Sequence, residues 1–343
     1  MGKITDLSGK LQGRRRILLC PLDWGLGHAS RCVPIVEAAL SLGVEVEIAG
    51  SGAAQRLLQR HFPNLIYHAL PSYRVRYPVR SPFWNFFFML PNLLYAVLGE
   101  RRMLHQLLSA RFYDLIVSDN RLGCYSRRVP CVYLTHQLRF AFRQKWMSAL
   151  AGRMHAFWYR RFDEIWVPDF PPPDNLSGDL GIPLQEDRPV YLGPLSQLSG
   201  VPLSQNNIKY EAAAILSGPE PQRSLLEREI LEQFSQLSGH YLLVRGLPKG
   251  ENIDSPVDHI KIISFVGAKE IAQIMMQSRL IICRSGYSSI MDLQVLQKKA
   301  LLIPTPGQPE QEYLASWHAD KGQFMVQEQG KVDIEKALPF AKA

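Results

Sequence analysis

The sequence predicts an α/β protein with two domains, each built on a doubly wound parallel sheet. Its 343 residues are enough for two domains that each bury a core of their own. In both halves, short apolar runs alternate with helical patterns, which is typical of βαβ units. A stretch rich in Gly, Ser and Pro runs from Phe170 to about Gln205 and separates the halves, which indicates a linker.

These patterns set the expected domain limits. We expect a flexible N-terminus at residues 1–13, a Rossmann-like first domain at 14–190 and a linker at 191–208. A Rossmann-like second domain is expected at 209–320. For the C-terminal segment, 321–343, packing back on the first domain is one option.

The apolar runs place the expected strands and helices. In the first half, strands are expected at 16–21, 44–49, 114–118, 129–134 and 164–168, with a helix at 29–42. In the second half, strands are expected at 212–217, 241–245, 261–265, 280–283 and 300–303, with helices at 225–234, 269–277 and 288–297. Open parallel sheets bind ligands at the carboxyl ends of their strands, so the loops after these strands are the candidate sites.

The composition is that of a globular, intracellular chain. Hydrophobic residues make up 46% and charged residues 20%, and the five cysteines show no CxxC pairing. No secretory leader is evident, and the most apolar region, 82–98, is interrupted by Pro91 and two asparagines. We therefore expect a cytoplasmic protein without a spanning helix. Peripheral attachment to the inner face of the cytoplasmic membrane remains open.

The net charge of +8 is unevenly distributed along the chain. Residues 1–162 carry 23 Lys and Arg against 8 Asp and Glu, whereas the remainder carries 16 against 23. A basic first half indicates an anionic partner, either nucleic acid or an anionic membrane surface.

An aromatic stretch flanked by arginines favours the membrane. Arginines 74, 76, 80, 101 and 102 surround a contiguous apolar run, whose candidate membrane-facing residues are Phe83, Trp84, Phe86, Phe87 and Phe88. Nucleic acid is disfavoured because the aromatics are not interleaved with the basic residues as stacking platforms would be. A buried helix or a dimer contact is the alternative.

The loop between the first strand and helix is the first candidate site. Gly25 and Gly27 permit close backbone approach, and the following helix start favours an anion. His28 stands where a general base is useful, although a packing role alone is the alternative. The third glycine and the ribose-binding acid of a dinucleotide fingerprint are both missing.

Two further residues end strands of the same sheet. Asp119 and His136 are expected at the same edge as His28 if the sheet is parallel. A carboxylate that orients an imidazole would give a base able to deprotonate a sugar hydroxyl. The spacing does not decide which histidine is the base, and either one could be structural.

The second half offers a candidate phosphate cradle between a strand and a helix. Hydroxyl side chains and free N–H groups at a helix start can hold a diphosphate without a Walker lysine. Ser288 as a simple N-cap is the alternative, and Asp292 either reaches a ribose hydroxyl or complements the helix dipole. The residues of this candidate are Arg284, Ser285, Gly286, Tyr287, Ser288, Ser289 and Asp292.

Two other loops complete the candidate donor site. Gly218 follows the first strand of the second domain. The proline-rich loop at 304–312 carries Gln308 and Gln311, whose polar side chains suit sugar hydroxyls. An ordinary exposed turn is the alternative for this loop.

The C-terminal motifs resemble those of the MurG group of UDP-N-acetylglucosamine transferases in glycosyltransferase family 28. CRSGYSSIMDL, from Cys283, is similar to that group's CRSG…SE donor signature, and PTPGQPEQEYLA, from Pro304, is similar to its loop with paired glutamines. GLGHASR resembles its glycine-rich loop, and VPCVYLTHQL resembles the strand before its HEQN. The resemblance puts Gln311 on a donor-sugar contact and Asp292 on the ribose-binding Glu.

The sequence departs from this pattern at three points. The glycine-rich loop of the second domain is reduced to Ser217-Gly-Pro-Glu-Pro-Gln222, and no arginine follows Gly193-Pro194. The acidic member of HEQN is absent. The fold and the class of donor are still implied by the resemblance despite these changes. The identity of the acceptor and the MurG reaction itself are not implied.

The resemblance implies a GT-B glycosyltransferase with two facing Rossmann-like domains, the first for the acceptor and the second for a nucleotide sugar, expected to be a UDP-sugar. It further implies inversion and a sugar or lipid-linked acceptor. No metal or other cofactor is expected, because the sequence lacks a DxD motif and a helix terminus can stabilise the leaving diphosphate. Nucleic acid is not an expected partner. A UDP-sugar epimerase of this fold, or a non-catalytic nucleotide-sugar or glycolipid binder, are the alternatives.

Overall fold

A computed structural model describes residues 4–73, 82–140, 144–183, 187–201, 207–247, 250, 255 and 257–341, with the backbone alone for 82–91 and 145. The chain divides into two compact units, one reaching to Ser196 and the other beginning at Gln197. Each unit contains one parallel sheet covered by helices, so the α/β fold class predicted from the sequence is confirmed.

The first unit is a seven-stranded sheet with the strand order β3-β2-β1-β4-β5-β6-β7, and all its pairings are parallel. The order reverses between β1 and β4, the position where doubly wound sheets bind ligands. The elements are α1 Leu7–Leu11, β1 Arg16–Pro21, α2 Gly27–Ser41, β2 Glu45–Gly50, α3 Gly52–His61, β3 Ile66–Ala69, α4 Pro82–Ala110, β4 Leu115–Asp119, β5 Cys131–Leu134, α5 Lys145–Tyr159, β6 Glu164–Val167 and β7 Val190–Tyr191.

The second unit is a six-stranded sheet with the order β10-β9-β8-β11-β12-β13, again parallel throughout. Its reversal lies between β8 and β11. The elements are β8 Tyr210–Ile215, α6 Gln222–Gln236, β9 Tyr241–Val244, β10 Ile260–Ile263, α7 Ala268–Met276, β11 Ser278–Cys283, α8 Tyr287–Val295, β12 Ala300–Leu302, α9 Pro309–Asp320, β13 Met325–Val326 and α10 Ile334–Ala337.

Central strands are buried on both faces, as near-continuous apolar runs predict. Every residue of β4, β5 and β9 is buried. All five cysteines are free and buried, consistent with their interpretation as small core residues. Such strands leave their polar chemistry to the loops at their carboxyl ends.

The N-terminal segment differs from its predicted flexibility. Residues Leu7–Leu11 form a helix that begins at the N-cap Asp6, whose side chain accepts a hydrogen bond from the backbone N–H of Ser8. Leu11 is fully buried in the core that covers β1 and α2. The segment is ordered because this leucine and the Lys10–Glu164 ion pair, at 2.9 Å, anchor it to the sheet.

The C-terminal segment packs within the second unit itself. Ile334 and Ala337 belong to the core around α6 and β11, and Gln233 donates a hydrogen bond to the Val332 carbonyl. The backbone N–H of Ile334 returns a hydrogen bond to the Gln233 side chain at 2.7 Å. These contacts anchor the C-terminal segment to α6 of the second unit.

The aromatic stretch falls in α4, a 29-residue helix that continues through Pro91. Phe83, Trp84, Phe86, Phe87 and Phe88 lie in its first turns, but their side chains are outside the described residues, as are Arg74, Arg76 and Arg80 altogether. Among the helices in the described ranges, none combines the length and apolarity needed to cross a bilayer.

Candidate functional site

In the first unit, the three predicted catalytic residues meet at the carboxyl ends of β1, β4 and β5. His28 lies in the first turn of α2, Asp119 is the last residue of β4, and His136 follows β5. The His28 Nδ1 atom lies 3.1 and 3.0 Å from the two Asp119 carboxylate oxygens. The parallel register, which pairs Pro21 with Asp119 and Asp119 with Leu134, brings them together.

Asp119 is fully buried and ionised. Burial alone would raise the pKa of its carboxyl group, but the charge of Arg31 and the contact with His28 outweigh burial and lower the pKa to about 2. The Arg31 Nε donates to Asp119 at 3.0 Å, and the Arg31 Nη2 also contacts the same oxygen. The carboxylate therefore stays negative at any physiological pH.

The His28 ring is held at one nitrogen. Burial lowers the pKa of this imidazole below its ordinary value, and Asp119 opposes that effect while Arg31 and His136 add to it. In the described part of the chain, every hydrogen bond of the ring involves Nδ1, and the side chain is 15% exposed. A neutral ring with its Nδ1–H on Asp119 leaves Nε2 as a base.

Gly25 and Gly27 lie in the loop that leads into His28. Gly25 has a φ of +74°, a conformation that favours glycine, and nothing lies within 4 Å of the position where its Cβ would be. The helix starts at Gly27, with Leu26 at the N-cap and no side-chain cap. The glycine loop therefore shapes the turn before the helix and leaves the first-turn N–H groups without a side-chain partner.

Sequence reasoning missed Arg31 as a member of this cluster. Its signal was its position three residues after His28 on the predicted helix, since residues at that spacing share one helix face. Arg31 is 3% exposed and contacts Asp119, His28 and His136.

In the second unit, the candidate donor residues lie in loops at the carboxyl ends of β8, β11 and β12. Gly218 follows β8 with a φ of +108°, and its position lies next to Thr305, which follows β12. Ser285 follows β11, and its hydroxyl donates to the Gln311 carbonyl at 2.8 Å. Three neighbouring strands thus bring the three predicted loops together.

Helix α8 presents an uncapped start in this cluster. Its N-cap is Gly286, with no side-chain hydrogen bond to the first turn, so the Ser288 N-cap alternative is wrong. Tyr287 is buried, whereas Ser288 and Ser289 are half-buried with their backbone N–H groups in the first turn. Such a start can receive the negative charge of a phosphate.

Asp292 lies one turn further along α8 and is half-buried. Burial raises the pKa of the neighbouring Cys283 thiol to about 12, and the charge of Asp292 adds to this rise. Asp292 therefore lies close enough to the end of β11 for its charge to act on Cys283.

Two of the predicted donor residues have structural contacts that occupy their side chains. Arg284 is 1% exposed, and its guanidinium donates to the carbonyls of Ile303, Pro304 and Gln222. Burial lowers the pKa of Arg284 to about 10. The side chain braces the three loops from within, because it contacts the protein's own carbonyls where a diphosphate contact was predicted.

Gln308 similarly caps a helix. Its side-chain oxygen accepts a hydrogen bond from the Gln311 N–H, and Pro309 starts α9, so the predicted recognition loop is shorter than the sequence indicated. Gln311 accepts a hydrogen bond from the Thr305 N–H at its side-chain oxygen, at 2.9 Å. The side-chain amide N–H groups of Gln311 have no partner among the described residues and remain as donors.

Thr305 and Gly246 are supporting residues that the sequence did not reveal. The Thr305 hydroxyl is buried without a hydrogen-bond partner in the described ranges, beside Gly218. Gly246, after β9, has a φ of +71°, and a Cβ there would collide with the Leu216 carbonyl. Glycine is therefore required where the loop after β9 packs against the end of β8.

A cavity of about 370 Å³ opens elsewhere in the second unit, between α6 and the segment around Gln329. It is lined by Leu225, Arg228, Glu229 and Glu232, and it borders the predicted donor loop only at Pro306, without Gln308 or Gln311. We assign the candidate site from the convergence of loops at the strand ends, because the two carboxylates make this cavity unsuitable for a diphosphate. No group of three or more His, Cys, Asp and Glu side chains in the described part of the chain is arranged to hold a metal ion.

Comparisons with known proteins identify glycosyltransferases as similar to this chain. Residues 223–338 match the glycosyltransferase family 28 C-terminal domain. An uncharacterized glycosyltransferase of Methanosarcina mazei is 24% identical over 331 residues, covering 90% of this chain and 84% of that protein. One from Methanosarcina acetivorans is 23% identical, covering 90% and 82%.

Solved structures share the whole fold at low identity. The kitacinnamycin glycotransferase superposes with a TM-score of 0.65 at 14% identity, covering 95% of this chain and 89% of that one. Acinetobacter baumannii MurG gives 0.57 at 16%, covering 96% and 90%. The spinosyn rhamnosyltransferase SpnG complexed with thymidine diphosphate gives 0.62 at 16%, covering 91% and 86%.

The fold and the matched domain define the chain as a glycosyltransferase of the GT-B type. Its residues 223–338 are similar to the glycosyltransferase family 28 C-terminal domain, and MurG is among its structural neighbours, as the sequence motifs indicated.

Proposed function

We propose that this enzyme transfers a sugar from a nucleotide sugar, expected to be a UDP-sugar, to an acceptor hydroxyl with inversion. The observation that carries the proposal is the convergence of Gly218, Ser285 and Gln311 at the uncapped start of α8. The first-turn N–H groups would donate hydrogen bonds to the oxygens of a diphosphate there, and the positive end of the helix dipole would stabilise its charge. The side-chain amide of Gln311 would donate to the sugar.

His28 is the proposed base. Its Nε2 takes the proton of the acceptor hydroxyl, and the acceptor oxygen forms a bond to the anomeric carbon as the bond to the diphosphate oxygen breaks. The resulting imidazolium is stabilised by Asp119, 3.0 Å from Nδ1. A single displacement of this kind inverts the anomeric centre, and the nucleoside diphosphate leaves with the negative charge.

We propose that the donor site works without a metal or another cofactor. The first-turn N–H groups of α8 are not capped by a side chain, so they would stabilise the charge of a leaving diphosphate bound there. Asp292 is the candidate partner for a ribose hydroxyl. SpnG, a structural neighbour, is described as complexed with thymidine diphosphate, which supports a nucleotide-diphosphate site of this kind.

The test separates donor binding from transfer. Calorimetry with UDP-, GDP- and dTDP-sugars is expected to find one class that binds, with UDP-sugars the expected class. His28→Ala should keep that affinity and lose about 10²- to 10⁴-fold in transfer rate, the usual contribution of a general base. A matched control, His61→Ala, changes a histidine on α3 whose ring Nδ1 contacts only the Leu57 carbonyl among the described residues.

Three outcomes would contradict the proposal. Binding of none of the sugars removes the donor site, and undiminished transfer by His28→Ala removes the base. Conversion of the donor without any acceptor would instead identify an epimerase, and binding without turnover a non-catalytic binder. The comparisons favour neither alternative, because the matched domain and the curated relatives are glycosyltransferases.

We further propose that the acceptor is lipid-linked and that the first unit meets it at an anionic membrane surface. Exposed apolar side chains recur along one face of α5, namely Trp146 (58% exposed), Leu150 (52%), Met154 (36%) and Phe157 (63%). The spacing of about four residues makes a continuous stripe on a helix.

Cations border this stripe. The Arg161 guanidinium lies 4.6 Å from the Phe157 ring centroid and 5.8 Å from that of Tyr125. Arg101, from α4, lies 4.7 Å from the same Tyr125 ring, so an arginine of α4 and an arginine that follows α5 meet there. Apolar side chains beside cations suit an interface of acyl chains and anionic headgroups.

A further inference from the structure

Arg31 links all three catalytic candidates of the first unit. It lies one helical turn after His28 on α2, and its Nε and Nη2 both contact Asp119. The Nη1 atom lies 2.9 Å from Nδ1 of His136, and Nη2 lies 2.8 Å from Nδ1 of His28. One buried guanidinium therefore touches a carboxylate and two imidazoles.

The contact with His136 fixes the proton of that ring. A guanidinium has five N–H donors and no acceptor, so the atom facing Nη1 must accept. Nδ1 of His136 is therefore unprotonated, and in the neutral ring the proton is on Nε2. Protonation of His136 would set two N–H groups against each other at 2.9 Å.

The Nδ1 atom of His28, in contrast, has two possible hydrogen-bond partners. It faces an acceptor, Asp119, at 3.0 Å and a donor, Arg31, at 2.8 Å. With the proton on Nδ1, the ring donates to Asp119 and Nε2 has a lone pair. With the proton on Nε2, the same Nδ1 accepts from Arg31. The Nδ1–H form therefore exchanges the Arg31 Nη2 hydrogen bond for one to Asp119.

We propose that Arg31 is a positioning residue that assigns the two histidines different roles, with His136 fixed as an Nε2–H hydrogen-bond donor and His28 left as the base. The assignment of roles rests on the proposed sugar transfer, whereas the tautomers are a property of the protein alone. The charged and titratable groups that act on His28 are Asp119 from β4, Arg31 from its own helix and His136 beyond β5. Cys32, on the same helix, contacts Asp119 instead, with its Sγ 3.6 Å from the carboxylate.

A purely structural ion pair is the competing explanation, and an Arg31→Lys variant distinguishes the two. Lysine keeps the positive charge beside Asp119, so the buried carboxylate is not left alone. Its ammonium is a single compact donor and cannot span Asp119 and His136 as the planar fork does. The matched control is Arg121→Lys, which alters another buried ion pair of this unit, Arg121–Glu100, at 2.7 Å.

The direct readout is nitrogen NMR of ¹⁵N-histidine-labelled protein, with His28 and His136 assigned from His→Gln variants. In the wild type, the neutral His136 ring is expected to show a single tautomer, with its proton on Nε2. In Arg31→Lys it is expected to lose this single tautomer and populate both. Arg121→Lys is expected to leave the His136 spectrum unchanged.

A wild-type His136 whose neutral ring carries its proton on Nδ1 would overturn the proposal. So would an Arg31→Lys spectrum identical to the wild type, or equal changes in both lysine variants. These readouts need no substrate, so failure of the sugar-transfer proposal would leave them intact.

The kinetic readout uses whichever nucleotide sugar proves to bind. Arg31→Lys is expected to lower kcat by about 10²-fold with the donor KM unchanged, because misplacement of a catalytic group costs that much. The kcat profile against pH should also shift relative to the wild type. A loss confined to KM, or a kcat loss equal to that of Arg121→Lys, would show a structural role only.

Discussion

Asp119 is the buried residue around which the first site is organised. Its carboxylate accepts from Arg31, contacts the His28 imidazole and is approached by the Cys32 thiol. A negative charge with no solvent exposure persists only because these donors replace water. The same contacts make the charge of Asp119 a measurable part of the stability of the protein.

We expect Asp119→Asn to reduce the free energy of unfolding at neutral pH by about 3–5 kcal/mol, the usual cost of breaking a buried ion pair. The pKa of Asp119 is lowered from 3.8 to about 2, so its stabilising charge is fully present above pH 3.8 and is lost as the pH falls towards 2. Urea unfolding of both proteins between pH 7 and pH 3 should show the stability difference shrinking below about pH 4.

Glu100→Gln is a control for which the change of stability with pH is expected to have the opposite sign. Burial raises the pKa of Glu100 despite its pairing with Arg121, so the wild type should lose stability relative to this variant as the pH rises through that pKa. An Asp119→Asn stability difference that stays constant from pH 5 to pH 3 would contradict the assigned charge.

At this scale, sequence reasoning identified residue types better than it identified their contacts. His28, Asp119 and His136 could be grouped because parallel strands end at one edge. The roles of Arg284 and Gln308 could not be foreseen, because a side chain in a polar loop can point outward to a ligand or inward to carbonyls. Burial of Arg284 and the cap made by Gln308 were decided by the packing of neighbouring loops.

At the scale of elements, the donor site depends on how loops after strands support each other. The end of β8 packs against Gly246, which follows β9, so closely that a Cβ would meet the Leu216 carbonyl. Gly246 also has a φ of +71°, where an L-residue is strained. The position of the loop that carries Gly218 is therefore set by a glycine two loops away along the chain.

We expect Gly246→Ala to lower both stability and donor affinity. Strain at positive φ costs roughly 1–2 kcal/mol, and the collision adds about 1–3 kcal/mol as overpacking. Gly322→Ala is the matched control, since Gly322 has a φ of +63° and nothing within 4 Å of the Cβ position. Thermal unfolding and donor calorimetry of the two variants give the comparison.

The control should show the strain cost alone and unchanged donor binding. Equal losses in both variants would mean that the contact between Gly246 and the Leu216 carbonyl does not position the donor loop. The sequence could not supply this contact, because nothing in Val244-Arg-Gly246 marks it as a neighbour of β8.

Helix starts show the same limit of sequence reasoning. The pattern predicted α8 to begin at Ser288, but Gly286 is the N-cap and Tyr287 already lies in the helix. Pro309 at the start of α9 is what a first-turn proline permits, since its missing N–H has no intrahelical partner there. Such one- or two-residue shifts decide whether a serine caps a helix or leaves its N–H groups for a ligand.

At the scale of the whole molecule, the charge asymmetry coincides with the apolar stripe. The first 162 residues carry the excess of Lys and Arg, and α5 adds the exposed stripe from Trp146 to Phe157. Cations attract an anionic surface from a distance, whereas the stripe binds only on contact. Together they predict membrane binding that needs both anionic lipid and α5.

We expect the protein to cosediment with vesicles that contain phosphatidylglycerol, and less so as salt is raised. Phe157→Ser should reduce the vesicle affinity by about 10-fold or more, because inserting a phenylalanine is worth about 1.5–3 kcal/mol. Phe112→Ser is the matched control, since Phe112 is 68% exposed but lies outside α4 and α5. The assignment would be contradicted if Phe157→Ser and Phe112→Ser bound the anionic vesicles equally well. It would also be contradicted if the wild type bound neutral vesicles as well as anionic ones.

The sequence by itself determined the two parallel sheets, the strand ends that carry chemistry and the donor motifs, because these depend on local periodicity and on residue types beside it. Hydrophobic runs and glycines act over a few residues, so they can be identified in one chain. Tertiary structure decided which side chains meet. It placed Arg31 between Asp119 and two histidines, turned Arg284 inward and ordered the N-terminal helix through Leu11. Those outcomes depend on burial and on hydrogen bonds between residues about 10 to 150 positions apart, where loop packing and desolvation, not local propensity, set the free energy.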